Sequence, residues 1–436
     1  MNEIAMILNT LSPALSPCSL NRLTLIVEAM LAMTGRVTML NMSRWTEKGG
    51  SYRTVQRFFS EKIDWAALRW QLIKQHLAGE KGVWLLTGDE VVVTKSGKET
   101  HGIGKFFSSI YSKVLPSVCF VAISLICVKS RKSYPLSVKQ LVRADVQATA
   151  PKAIKPKDAK PGRPKGSTNK NKEDITLSPF HLLLQGCICE ALKLIGMDLA
   201  VIYFVYDGAL GNNASLQAVK QAGLHLISKL RHDSNLYFSY AGAYSGKGRK
   251  RKYGEKLTLE TLTTEHLIKE FVEDGIRTCV YQVKVWHKNF PELLNVVVIV
   301  KTKLTNGKTA KVMLFSDDLT LEAETLIDYY SLRFQIEFNF RDAKQHWGLE
   351  DFMNIKETQV GNAADLSLFM VTFSQILASK IERVNKGSML DLKTIFRARK
   401  YTLRILNSLG KNAKDFLIND SIFEAAEIGR IHTSKV

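Results

Sequence analysis

The sequence predicts an α/β protein in which a mixed sheet is flanked by helices. Three observations carry that prediction. Two apolar, strand-like runs each lead into an aspartate: VWLLTGDEVVV (83–93), with Asp89, and LAVIYFVYDG (199–208), with Asp207. Helical and strand-like patterns alternate through the middle of the chain, which stacks helices against a sheet. The segment from Thr320 to Trp347 then has the spacing of an amphipathic helix.

Taken in order, residues 1–80 read as helical, with Leu23, Ile26, Val27, Met30 and Leu31 at helical spacing. Short helical patterns carrying Arg44, Arg53 and Arg57 lie on either side of Gly49-Gly50. They suit a helix-turn-helix-like DNA-binding region; a plain helical cap on the next domain is the alternative. Val83–Val93, Val114–Val128 and Tyr134–Val142 read as strands. Residues 147–176 are rich in Pro and Lys, with eight basic and three acidic residues, and read as a linker or disordered loop. A helix follows over Pro179–Gly196, a strand over Leu199–Tyr206, a helix around 213–222 and a strand over Leu224–Leu230. Runs at 277–286, 294–303 and 311–315 make the next stretch strand-rich, and the pattern is mostly helical from Ser316 onward. The expected division is a helical N-terminal region (1–80), a mixed α/β core (81–231 and 316–355), a β-rich segment between its two parts (232–315) and a helical C-terminal region (356–436).

The chain has 436 residues and a formal net charge of +20, which favours a polyanionic partner. A membrane is the poorer partner. The apolar run Val114–Val128 is too short to span a bilayer, and the N-terminus, with Glu3 and no basic stretch, does not resemble a signal peptide. The six cysteines form no CxxC pair. They read as buried thiols in a reducing cytoplasm, without a disulfide framework or zinc site.

On one unbroken helix, Tyr330, Arg333, Glu337 and Lys344 fall within an arc of about 60°. Tyr329, Leu332, Ile336, Phe340, Ala343 and Trp347 form an apolar stripe beside it, and Gly348 is a stop signal. A surface helix with an Arg333–Glu337 salt bridge is the bland alternative. The four-residue spacing should arise by chance on the order of once in several hundred chains of this length.

These residues carry a resemblance. YYSLRFQIEFNFRDAK, with Tyr330, Arg333, Glu337 and Lys344, resembles the signature of the Y-R-E-K subgroup of DDE transposases from bacterial insertion sequences. The segments around Asp89 and Asp207 are similar to that family's first and second acidic motifs, and the likeness spans about residues 40–350. It implies an RNase H-like core with a β-rich insertion and magnesium-dependent cut-and-paste chemistry. Phosphodiester cleavage of that kind uses two Mg2+ ions held by carboxylates, with Mn2+ as a substitute. The implied ligands and catalytic residues are Asp89, Asp207 and Glu337. Glu90, next to Asp89, falls on the opposite face of its strand. Tyr330, Arg333 and Lys344 are the implied contacts to the DNA end near the cleavage site.

Two basic patches add candidate DNA contacts. Arg163 and Lys165 lie in a GRP core like that of a minor-groove hook, and Arg249, Lys250, Arg251 and Lys252 lie in KGRKRK (247–252). In the insertion, Trp286 is read mainly as a core residue, with stacking on a flipped base as the alternative. The expected activity is binding of element ends, cleavage and joining of the 3′-OH ends to target DNA. The expected partners are double-stranded DNA at transposon ends and target, and a second copy of the chain in a synaptic homodimer. The expected place is the cytoplasm, at the bacterial nucleoid. An RNase H-fold nuclease without strand transfer and a catalytically silent, transposase-derived DNA-binding protein are the alternatives.

Overall fold

A computed structural model of the chain describes residues 2–46, 49–77, 82–108, 111–143, 171–244, 246, 248, 250–381 and 388–409. Arg163, Lys165 and Arg249, and all but the last few residues of the 147–176 loop, lie outside them.

The N-terminal region forms five helices: α1 (Asn2–Asn9), α2 (Pro17–Ala32), α3 (Met39–Trp45), α4 (Tyr52–Phe59) and α5 (Trp65–His76). Ser16, Thr38, Ser51 and Asp64 start α2 to α5, each accepting a backbone N–H from three residues on. Next come β1 (Trp84–Thr94), β2 (Gly104–Ser108), β3 (Lys113–Cys127), β4 (Lys132–Gln140), α6 (Pro179–Ile195), β5 (Val201–Val205), α7 (Asn213–Gln221) and β6 (His225–Leu230). The strand-rich stretch contains β7 (Leu236–Ser239), β8 (Tyr253–Lys256), β9 (Leu267–Glu273), β10 (Ile276–His287), β11 (Leu293–Lys303) and β12 (Thr309–Ser316). Four helices close the described chain: α8 (Ala323–Leu332), α9 (Gln335–His346), α10 (Glu357–Lys380) and α11 (Met389–Leu409).

All twelve strands belong to one mixed sheet. β4, β3 and β1 form an antiparallel meander, and β5 and β6 continue it parallel to β1. This is the arrangement of an RNase H-like core. The insertion strands do not form a sheet of their own: β12 pairs antiparallel with β6, and β11 and β10 extend the same sheet.

Helices cover both faces. On one, Leu184 and Ile188 of α6 and Leu216 of α7 pack with Leu86, Phe204 and Leu226. On the other, Leu326 and Leu332 of α8 pack on Leu85, Val205 and Ile227. Farther along that face, Ile336 and Phe340 of α9 join Val91 and Val93 in a core shared with α2, α4, α5 and α10. The N-terminal helices are therefore fastened to the glutamate-bearing helix through common apolar burial. Among the described residues α10 alone is long and apolar enough to cross a membrane, but 83% of its apolar window is buried within the fold.

Two expectations are corrected. The segment 320–347 is not one helix, because it breaks at Arg333-Phe334 into α8 and α9. The turn tightens there, with Ile336 N–H donating to Arg333 O and Glu337 N–H to Phe334 O, each three residues back. The break lets Leu332 and Ile336 pack into two different apolar clusters, which a straight helix would have to bridge. The cysteines are not all buried: Cys18 and Cys189 are exposed. Cys18 lies in the first turn of α2, and Cys189 is on the outer side of α6, whose inner side carries Cys187.

Candidate active site

Strand register places the two aspartates. Thr87 of β1 pairs with Val205 of β5 in parallel, and the buried Thr87 hydroxyl donates to Val205 O at 2.9 Å. Asp89 and Asp207 each stand two residues farther along, at the same level of strands that run about 4.8 Å apart. Asp207 leaves the strand as the cap of a short 3₁₀ turn, Gly208–Leu210, its Oδ1 accepting from Ala209 N–H at 2.8 Å. Its carbonyl accepts from the Ser228 hydroxyl of β6 at 2.6 Å. Asp89 Oδ1 accepts the Glu90 N–H at 2.8 Å.

Pleating turns Asp89 toward the α8–α9 side of the sheet, with Leu85 and Val91. Glu90 points to the opposite side, 3.9 Å from Cys119 Sγ. Burial lifts the Asp89 carboxyl to about 7. The charges of Asp207 and Glu337 add to that rise, while the Glu90 amide and Arg333 pull against it. Asp89 therefore feels the charge of both other acids.

Glu337 lies in the first turn of α9 with its side chain 41% exposed. Arg333, at the break, is 16% exposed and reaches both acids: its Nη1 is 3.1 Å from Glu337 Oε1 and 3.9 Å from Asp89 Oδ2. Tyr330 is half-buried, its ring centroid 6.0 Å from the guanidinium. Burial raises its phenol, Asp207 adds to the rise, and Arg333 opposes it. Lys344 is already engaged, donating to Val92 O at 3.2 Å and pairing with Glu350 at 3.0 Å. It ties α9 to β1.

Among the described residues no three His, Cys, Asp or Glu side chains stand close enough together to grip one metal ion. The donor chemistry nonetheless suits a hard divalent cation: Asp89 on β1 feels the negative charges of Asp207, just past β5, and of Glu337 on α9. What lies between Asp89 and Glu337 is the Arg333 guanidinium.

In the insertion, Lys250 and Arg251 are exposed, whereas Lys252 is half-buried. Lys252 Nζ sits 3.5 Å from the Trp286 ring centroid and donates to Pro291 O. Trp286 Nε1–H donates to Ser239.

Thr87 and Ser228, which position the aspartates, were missed in the sequence. Their one signal is a small hydroxyl residue inside an otherwise apolar strand, a weak cue because many buried hydroxyls merely satisfy local backbone.

A family model described as DDE superfamily endonuclease matches residues 11–288. That stretch contains Asp89 and Asp207 and ends before α8 and α9, so the match does not extend to Glu337, Tyr330, Arg333 or Lys344. No curated protein matches the chain. Among solved structures, the chain is similar to the piggyBac transposase in its synaptic complex with hairpin DNA, at 10% identity over 99% of this chain and 83% of that one, with a TM-score of 0.37. A likeness that distant carries no functional argument.

Proposed function

The chain belongs to the DDE superfamily of endonucleases, and on that premise we propose that it is a DNA transposase. It binds the ends of its element, cuts them, and transfers the 3′-OH ends to target DNA by a cut-and-paste route. One observation carries the reading: Asp89 and Asp207 each stand two residues beyond the paired Thr87 and Val205 of adjacent parallel strands, and Arg333 links Asp89 to Glu337.

Asp89, Asp207 and Glu337 would hold two Mg2+ ions, with Mn2+ as a substitute. Bound there, the ions supply Lewis acidity to the attacking oxygen and to the leaving oxygen. The chain's own groups do the rest. Arg333 presents a planar fork suited to a phosphate, and the Tyr330 phenol, whose ionisation burial disfavours further, donates a hydrogen bond. Lys344 ties α9 to β1, and a phosphate that meets it shares the ammonium with Val92 O and Glu350. The +20 charge, with Lys250 and Arg251 exposed on the insertion, supplies affinity for the DNA backbone. We assign Arg163, Lys165 and Arg249 to the same role from sequence alone. Synapsis of two ends calls for a homodimer on DNA, acting in the cytoplasm at the nucleoid.

The test is a strand-transfer assay with pre-cleaved element ends, supercoiled target DNA and Mg2+. Joined products support the transposase. Cutting of intact ends without joining points to an RNase H-fold nuclease. DNA binding with neither reaction points to a silent, transposase-derived binding protein.

A further inference from the structure

We propose that the Arg333 guanidinium is the resident counter-ion of the metal-free site, which a divalent cation must displace, so that Arg333 couples metal entry to DNA binding. The proposal rests on the reading of Asp89 and Glu337 as metal ligands.

Three features of Arg333 support it. Its Nη1 spans Glu337 and Asp89, at 3.1 and 3.9 Å, in the position where a shared cation would balance the same two charges. Its Nε is buried and has no hydrogen-bond partner among the described residues. A buried donor left unpaired is costly, and a guanidinium with an unmet donor is poised for a planar, two-oxygen acceptor such as a phosphate. Finally, Arg333 sits where α8 stops and α9 begins. A short stretch of tight turn inside a helical run is a common hinge, and here the fully buried anchors Leu332 and Ile336 flank it.

Guanidinium and metal cannot both occupy the space between the two carboxylates. A DNA phosphate that takes the guanidinium away frees Asp89 and Glu337 for metal. By linkage, metal that displaces the guanidinium strengthens its hold on phosphate. The site thus resists metal when DNA is absent.

The test is Mn2+ binding to the DNA-free full chain, read by electron paramagnetic resonance of the free ion. Arg333→Gln should bind Mn2+ about tenfold more tightly than wild type, because the competing state is gone. Arg333→Lys, which keeps one charge but loses the fork, should fall between them. Arg131→Gln removes an exposed cation that pairs with Asp328 outside the trio, and it should bind like wild type. Thermal melts give a second readout. Without metal, Arg333→Gln should melt below wild type, and saturating Mn2+ should close the gap; a purely structural role would leave the gap unchanged. If Arg333→Gln fails to fold, Arg333→Lys decides. Equal or weaker binding by the Arg333 variants overturns the proposal and leaves the metal site standing. Failure of wild type and variants alike to bind Mn2+ overturns both.

Discussion

Thr87 and Val205 are joined twice, as partners in the parallel ladder between β1 and β5 and through the Thr87 hydroxyl on the Val205 carbonyl at 2.9 Å. The link fixes the register, and the register brings Asp89 and Asp207 level. Thr87→Val keeps the shape and removes the hydroxyl. The expected result is a loss of about 1 kcal/mol in urea-unfolding stability. DNA cleavage should fall by about tenfold, because small misplacements of reacting groups are expensive. Cleavage unchanged at reduced stability would show that this link does not position the site.

Asp89 sets a pH dependence. Its folded value is raised from 3.8 to about 7. The folded chain therefore holds this proton more tightly than the unfolded chain does. The resulting stability is full below pH 3.8 and is lost as pH rises through about 7. At pH 8, in chelator, Asp89→Asn should be more stable than wild type by about 1 kcal/mol or more, and the difference should shrink toward pH 4. Thermal melts across that range check the sign; a variant less stable at pH 8 contradicts it.

Arg69 is 1% exposed and holds α5 against β4 and α10, through Leu136 O, Asp365 O and the Asp365 carboxylate at 2.7 Å. Asp365→Ala strands a buried charge and should cost about 3–5 kcal/mol in chemical denaturation. Adding Arg69→Met to that variant should restore part of the loss. A double variant as unstable as the sum of the singles would mean that the two residues act independently.

The insertion's cations should separate by role. Lys250 and Arg251 are exposed. Replacing either with Ala should lower the salt dependence of DNA binding by about one released counterion each. Lys252 is packed over Trp286, so Lys252→Ala should lower the melting temperature more than it changes the salt slope. Filter binding over a salt series, alongside melts, distinguishes the two.

Much of the core was legible because burial writes itself into sequence. The runs at 83–93, 199–206, 277–286 and 294–303 are strands because an interior strand needs apolar residues, and the helix periodicities at 23–31 and 179–196 reflect one buried face. β2, with Phe107 60% exposed, carries no such mark. The junction at Arg333 was illegible for a different reason. YSLRFQIEF has no Gly or Pro to announce a break, which arises because Leu332 and Ile336 are drawn into separate clusters. The merging of the insertion with the core sheet was hidden too, since the pairing of β12 with β6 joins residues distant in sequence. Asp89, Asp207 and Glu337 were singled out in the sequence by their place in strand-end and helix patterns and by the resemblance those patterns carry. The Arg333–Glu337 pair was foreseeable from its spacing of four; the reach of Arg333 to Asp89 as well required three dimensions.

The most direct measurement is an excision assay in Mg2+ with Asp89→Ala, Asp207→Ala and Glu337→Ala, each shown by its melting curve to be folded. The account predicts that each folded variant still binds DNA and that none excises. Excision at the wild-type rate by any one of the three would remove that residue from the site, and for Glu337, which lies outside the family match, it would also undo the catalytic reading of α9.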